Sequence, residues 1–147
     1  MKISDILSVD GIFTEEVANN KRHLLQGLSA KIAKVAGLDE RTVTEGILER
    51  ENLGSTGYGK GTAVPHARIE NAESVKAIFA RLAPPIDFNA IDAKPVDLVF
   101  MLISPESNGA DHLTALATLS RVLKNEQTCE KLRHAKSKEE IYAILNM

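Results

Sequence analysis

Cysteine is nearly missing from this 147-residue chain: Cys129 stands alone. That excludes an internal disulfide framework and any zinc site built on several thiolates. Tryptophan is absent and aromatic residues make up only 4%. No base-stacking platform for single-stranded nucleic acid is evident in so few rings. Charge of one sign is also missing. Eighteen basic residues face twenty acidic ones, for a net charge of -2. A dedicated nucleic-acid binder, with its cationic face, is therefore not expected. No apolar run approaches the ~18–20 residues of a membrane span. The longest, at Val96–Ile103, is strand-sized and carries Asp97. The N-terminus, Met1-Lys2-Ile3-Ser4-Asp5, has no signal-peptide apolar stretch. A cytoplasmic protein without membrane insertion is the expectation.

What is present suits an ordinary folded domain. Apolar residues at 44% and charged residues at 26% are near the globular average. The length suits a single domain of ~100–200 residues, read here as 1–147.

Hydrophobic spacing predicts four helices. The first runs from about Asn20 to Ala36, with Leu24, Leu28, Ile32 and Val35 on one face and Gly37 as its left-handed cap. The second starts behind Asp39 and runs to about Asn52, with Val43 and Ile47 inward. The third starts near Asp111, with Leu113, Leu116, Leu119 and Leu123 in helical register. The last follows a capping box of Ser137 and Glu140. A short further helix around Thr128–His134 fits as well.

Strands are expected at Val75–Leu82 and Val96–Ile103, with short pieces at Ala63–Pro65 and Ile86–Phe88. The near-continuous apolar character of Val96–Ile103 asks for helices on both faces of the sheet. The order is helices, strands, helices, without strict alternation. It predicts an α/β fold, a three-layer sandwich around a mixed sheet.

The densest local signal is Gly54-Ser55-Thr56-Gly57-Tyr58-Gly59-Lys60-Gly61. It is not a P-loop, because Gly61 stands where a magnesium-holding hydroxyl is required. It is not a dinucleotide fingerprint, because Thr62 stands where the third glycine belongs. Alternate glycines still allow backbone N–H groups to converge on an anion. A tight helix-to-strand connection explains them equally well.

Four histidines are available, and none is spaced with a second ligand for a transition metal. His23 and His134 lie in charged helical segments and read as solvated. His66 follows Pro65 directly after the glycine loop, where neutral imidazole can serve as nucleophile or base. His112 opens the third long helix. The helix N-terminus disfavours its charged form and is receptive to phosphate. Arg50 ends the second helix, where a guanidinium could clamp a phosphoryl group through paired hydrogen bonds. Each of the three also has a plain structural explanation when viewed alone. Cys129 reads as packing, and Glu139 and Glu140 as a helix start.

The combined pattern is more specific than its parts. Leu48 through Arg68, then Pro85-Ile86-Asp87-Phe88-Asn89-Ala90-Ile91-Asp92, Pro95 through Phe100, His112-Leu113 and Leu119-Ser120-Arg121 resemble the enzyme IIA domains of the bacterial phosphotransferase system, mannitol/fructose class. Among these, the nitrogen-regulatory type is the most similar, although Ala67 stands where that type often carries glycine.

The resemblance implies a five-stranded mixed sheet and a phosphocarrier with no attached IIB, IIC or HPr-like domain. The donor is HPr or its nitrogen-branch counterpart NPr, and the partners served are regulatory targets or, in a sugar-specific member, a separate IIB. It implies His66 as phosphoryl acceptor, on Nδ1, with His112 and Arg50 completing the site. Ser55, Thr56 and Gly57 of the loop are expected to add donors. No cofactor or metal is implied, because the donor is itself a phosphoprotein.

Overall fold

The computed structural model describes residues 1–107 and 109–147. A short helix, α1 (Ile3–Ile6), and one turn of 3-10 helix lead into strand β1 (Ile12–Glu16). Helices α2 (Lys21–Ala36) and α3 (Glu40–Asn52) follow, then three short strands, β2 (Gly57–Gly59), β3 (Thr62–Ala63) and β4 (His66–Ile69). Two long strands, β5 (Lys76–Ile86) and β6 (Val96–Pro105), precede α4 (Gly109–Lys124), α5 (Glu126–His134) and α6 (Lys138–Leu145).

The six strands form one sheet in the order β1-β5-β6-β3-β2, with β4 also paired to β6. β3 and β4 share one lane beside β6 and both run parallel to it. Pro65, which has no N–H for a ladder, lies between them. The single short strand expected at Ala63–Pro65 is thus two pieces, and the second begins at His66.

The sheet is mixed and covered on both faces. Along β6, Val99, Met101 and Ile103 pack with Leu24, Leu28, Ile32, Val43 and Ile47 of α2 and α3. Leu98, Phe100 and Leu102 pack with Leu119, Leu123, Leu132 and Ile141 of α4, α5 and α6. Period-two alternation with both sets apolar is what makes the strand read as a continuous hydrophobic run.

Helix boundaries follow local chemistry. The side chains of Asn20, Asp39, Asn125 and Ser137 each accept a backbone N–H in the first turn of α2, α3, α5 and α6. Gly37 closes α2 with φ +68°. At α6 the Glu140 carboxylate reaches the N–H of Lys136.

Several expectations need correction. Val35 is 40% exposed, because the buried stripe of α2 is Leu24, Leu25, Leu28, Ser29, Ile32 and Ala33 and reaches Ala36 next. Leu113 is 63% exposed, since His112 and Ala115 take the inward positions of α4. Ile86–Phe88 is not a separate edge strand. Ile86 ends β5 opposite Val96, and Pro84 and Pro85 fall where β5–β6 pairing is interrupted. Phe88 lies beyond the strand, fully buried. β1 was not expected at all; five residues ending in Glu15-Glu16 give little apolar pattern, and the strand forms by parallel pairing to β5.

Candidate functional site

The last turn of α3 brings Arg50 and Glu51 to the start of the glycine segment. Arg50 faces outward, and its Nη1 donates to the carbonyl of Gly54 at 3.0 Å. Glu51 turns inward and is 6% exposed. Its carboxylate accepts the Thr56 N–H at 2.8 Å and the Thr56 hydroxyl at 2.7 Å. Lys21 of α2 pairs with it at 2.9 Å. A buried carboxylate is tolerable only with partners of this kind. Here it pins the loop to two helices.

The glycines serve the turn and the packing. β2 and β3 pair as a hairpin around Lys60 and Gly61, which have φ of +56° and +82°. Positive φ at both central residues is the tight-hairpin geometry. A Cβ on Gly61 would lie 2.7 Å from the Arg133 guanidinium and 2.9 Å from the Asp97 carboxylate. One on Gly57 would lie 2.8 Å from the Ala90 backbone.

The donors expected from Ser55, Thr56 and Gly57 are engaged within the fold. The Thr56 donors are taken by Glu51, the Gly57 N–H donates to the Ser55 hydroxyl at 3.1 Å, and that hydroxyl donates to the Phe88 carbonyl at 3.2 Å. None of Ser55, Thr56 and Gly57 lines the cleft described next. These bonds instead fix the path of the chain toward His66.

From β3 the chain passes through Val64 and Pro65 into β4. Leu102 of β6 donates its N–H to the Pro65 carbonyl at 3.0 Å. His66 is half-buried, and its Nδ1 sits 2.8 Å from the Val64 carbonyl oxygen. A carbonyl only accepts, so Nδ1 carries the ring proton. The free lone pair is then on Nε2. This departs from the Nδ1 that the resemblance implied: that nitrogen is occupied by the backbone.

His112, in the first turn of α4, is 5% exposed. Its ring centroid is 5.6 Å from that of His66, with the planes tilted by 52°. The His112 Nδ1 is hydrogen-bonded to the hydroxyl of Ser104 near the end of β6. Together Arg50, Leu53, His66, Arg68 and His112 line most of an open cleft of about 410 Å³ between α3, β4 and α4. The three side chains singled out at 50, 66 and 112 are thus gathered in one place.

Both imidazoles are held neutral. Burial lowers the pKa of His66, and the Arg50 charge lowers it further, against the opposing pull of the Val64 carbonyl and Glu51. Burial lowers His112 to about 4, followed by the effects of His66 and Arg68. A neutral ring with a free nitrogen, beside a guanidinium and a second neutral ring, can accept an electrophilic, negatively charged group.

Sequence reasoning missed Glu51, Ser104 and Arg68. Glu51 reads as one more charge on a charged helix end. Ser104 has no signal, because only the β6–α4 connection brings it to His112. Arg68 was within the quoted motif but carried no role. The other histidines lie elsewhere: His23 accepts from the Asn19 N–H, and His134 contacts Glu130 on the surface of α5.

Comparison with known proteins identifies the family. Residues 5–147 match the family model of the phosphoenolpyruvate-dependent sugar phosphotransferase system, EIIA 2. The chain is 43% identical to a nitrogen regulatory protein of Bradyrhizobium diazoefficiens, over 99% of this chain and 95% of that one. It is 37% identical to a fructose-specific EIIA component of Haloferax volcanii, over 97% and 94%. The crystal structure of nitrogen regulatory protein IIA-Ntr from Neisseria meningitidis superposes with a TM-score of 0.92, at 34% identity, covering 97% of this chain and 98% of that one. By sequence and by fold, the chain belongs to the EIIA type-2 family of the phosphotransferase system.

Proposed function

We propose that this chain is a regulatory phosphocarrier of the nitrogen-regulatory kind, and that His66 accepts the phosphoryl group through Nε2. The observation that carries the proposal is the His66 ring itself. It lines the open cleft with Nδ1 tied to a backbone carbonyl and shares that cleft with Arg50 and His112.

In the proposed step a phosphorylated carrier protein of the HPr or NPr type docks over the cleft. The Nε2 lone pair forms a bond to phosphorus. The bond from phosphorus to the donor's own atom breaks, and its electron pair stays with the donor. Positive charge developing on the His66 ring is met by the Val64 carbonyl at Nδ1. Phosphoryl transfer through a loose transition state depends chiefly on positioning and charge stabilisation. Arg50 supplies a guanidinium for the equatorial oxygens. His112 is neutral near pH 7. With Nδ1 accepting from the Ser104 hydroxyl, its Nε2–H becomes a hydrogen-bond donor. Exposed Leu53 and Leu113 give the surroundings the modest apolar character of a transient docking surface.

The regulatory reading is favoured by the similarity to nitrogen regulatory proteins along nearly the whole chain. A sugar-specific role, passing phosphate to a separate IIB, is the second reading; the fructose-specific relative is its support.

Incubation with phosphoenolpyruvate, enzyme I and the carrier protein tests the first claim. One acid-labile, base-stable phosphoryl group per chain is expected. His66→Ala should take none, and full labelling of that variant removes the assignment. Phosphorus-coupled NMR of the imidazole distinguishes Nε2 from Nδ1. Efficient onward transfer to a fructose or mannitol IIB would favour the second reading.

A further inference from the structure

We infer that Arg68 is a second phosphoryl-binding guanidinium of this cleft, acting together with Arg50; the inference rests on the proposed phosphorylation of His66. Side chains alternate along a strand, so His66 and Arg68, two apart on β4, emerge on the same face. Ala67 and Ile69, between and beyond them, point into the core under α2 and α3. The strand therefore directs the imidazole and the guanidinium into the same space, and both line the cleft.

The Arg68 head group lies over the start of α4. A Cβ on Gly109, the first residue of that helix, would be 3.4 Å from Arg68 Nη2 and 3.7 Å from Cζ. This is an unfavourable place for a cation, because a helix N-terminus carries partial positive charge. The ion pairs among the described residues include neither Arg50 nor Arg68. Two guanidiniums and the positive end of a helix thus face one cleft, which the Glu49 carboxylate also lines. An anion between the guanidiniums offsets the positive charge that this one carboxylate leaves uncompensated.

The two arginines enter the cleft from different elements, Arg50 from the end of α3 and Arg68 from β4. A transferred phosphoryl group carries nearly two negative charges over three oxygens at neutral pH. One planar fork binds two oxygens at most. A second guanidinium in the same cleft would bind oxygen that Arg50 leaves uncovered. Arg68 thereby raises the affinity of His66 for the phosphoryl group and lengthens the life of the phosphorylated protein.

The test is phosphotransfer with Arg68→Gln and Arg68→Lys over a range of carrier concentrations. Arg68→Gln should lower the maximal transfer rate by about tenfold or more, short of the ~100- to 1000-fold cost of losing an oxyanion-hole donor, because Arg50 remains. It should also lower the phosphorylated fraction at equilibrium with the carrier, and speed hydrolysis of the purified phosphoprotein. Arg68→Lys should restore part of each, since it keeps the charge but not the fork. Labelled wild type with an unchanged rate, equilibrium and lifetime in Arg68→Gln overturns the inference and leaves His66 untouched. A raised KM for the carrier with unchanged maximal rate and lifetime also overturns it, because it marks a residue that contacts only the partner. Wild type that takes no label removes the phosphocarrier reading itself, and this inference with it.

Discussion

At the scale of single residues, the state of two imidazoles decides what the cleft can do. A carbonyl holds one proton on His66 Nδ1, so the nitrogen left for chemistry is Nε2. Ser104 plays the corresponding part for His112. Its hydroxyl can donate to Nδ1 and so set the tautomer that carries its proton on Nε2. Ser104→Ala should leave the protein folded, at a cost of about 1 kcal/mol. It should slow phosphorylation of His66 severalfold by releasing that tautomer. Ring nitrogen shifts measured by NMR should show the His112 tautomer ratio changing in parallel. An unchanged ratio and rate would reduce Ser104 to packing. Arg50, His66 and His112 were legible as candidates because their residue types and neighbours are informative. Ser104 and Glu51 were not, since a serine at a strand end and a glutamate at a helix end look alike whether they face water or a partner.

At the scale of elements, the glycine segment is a hairpin whose rigidity positions His66. The donors at Ser55, Thr56, Gly57 and the Lys60 backbone run to Phe88, Glu51, Ser55 and Asp92, not toward the cleft. The Arg133 fork ties the turn down, bonding Asp97 at 2.8 and 3.0 Å and the Lys60 carbonyl at 2.9 Å. Gly61→Val should be destabilising by roughly 2–3 kcal/mol, combining a strained positive φ with displacement of that fork. A thermal unfolding midpoint lowered by several degrees checks this, and wild-type stability would contradict the packing seen at Gly61. The alternating glycines were visible in the sequence, but their purpose was not. The same pattern suits an anion cradle and a tight turn, and only the partners of the N–H groups distinguish them.

At the scale of the whole molecule, the half-buried His66 and the buried His112 couple stability to pH. Both His66 and His112 have folded pKa values below the ordinary histidine value of 6.5, and His112 falls to about 4. Below pH 6.5 the unfolded chain binds protons that the folded chain refuses. Stability is therefore fully present above about 6.5 and is lost as pH falls toward 4. For one proton the slope is at most about 1.4 kcal/mol per pH unit. Urea unfolding between pH 7 and pH 4 should show a shallower loss for His112→Gln than for the wild type. Parallel curves would mean that His112 is not held neutral by its surroundings.

The layered α/β plan, the long helices, the two central strands and the family were determined by the sequence alone. They rest on contacts within a few residues, on apolar periodicity, and on a run from Leu48 to Arg68 that keeps its order along the chain. Tertiary structure decided the rest. It split the lane at Pro65, bound β1 to β5, and turned Leu113 outward so that His112 could face His66. It also chose which nitrogen of His66 is free and brought Arg68 into the same cleft as Arg50. The physical reason is that each of these depends on a partner from another strand or helix, or on the local path of the backbone, and neither is written in the spacing of residues along one element.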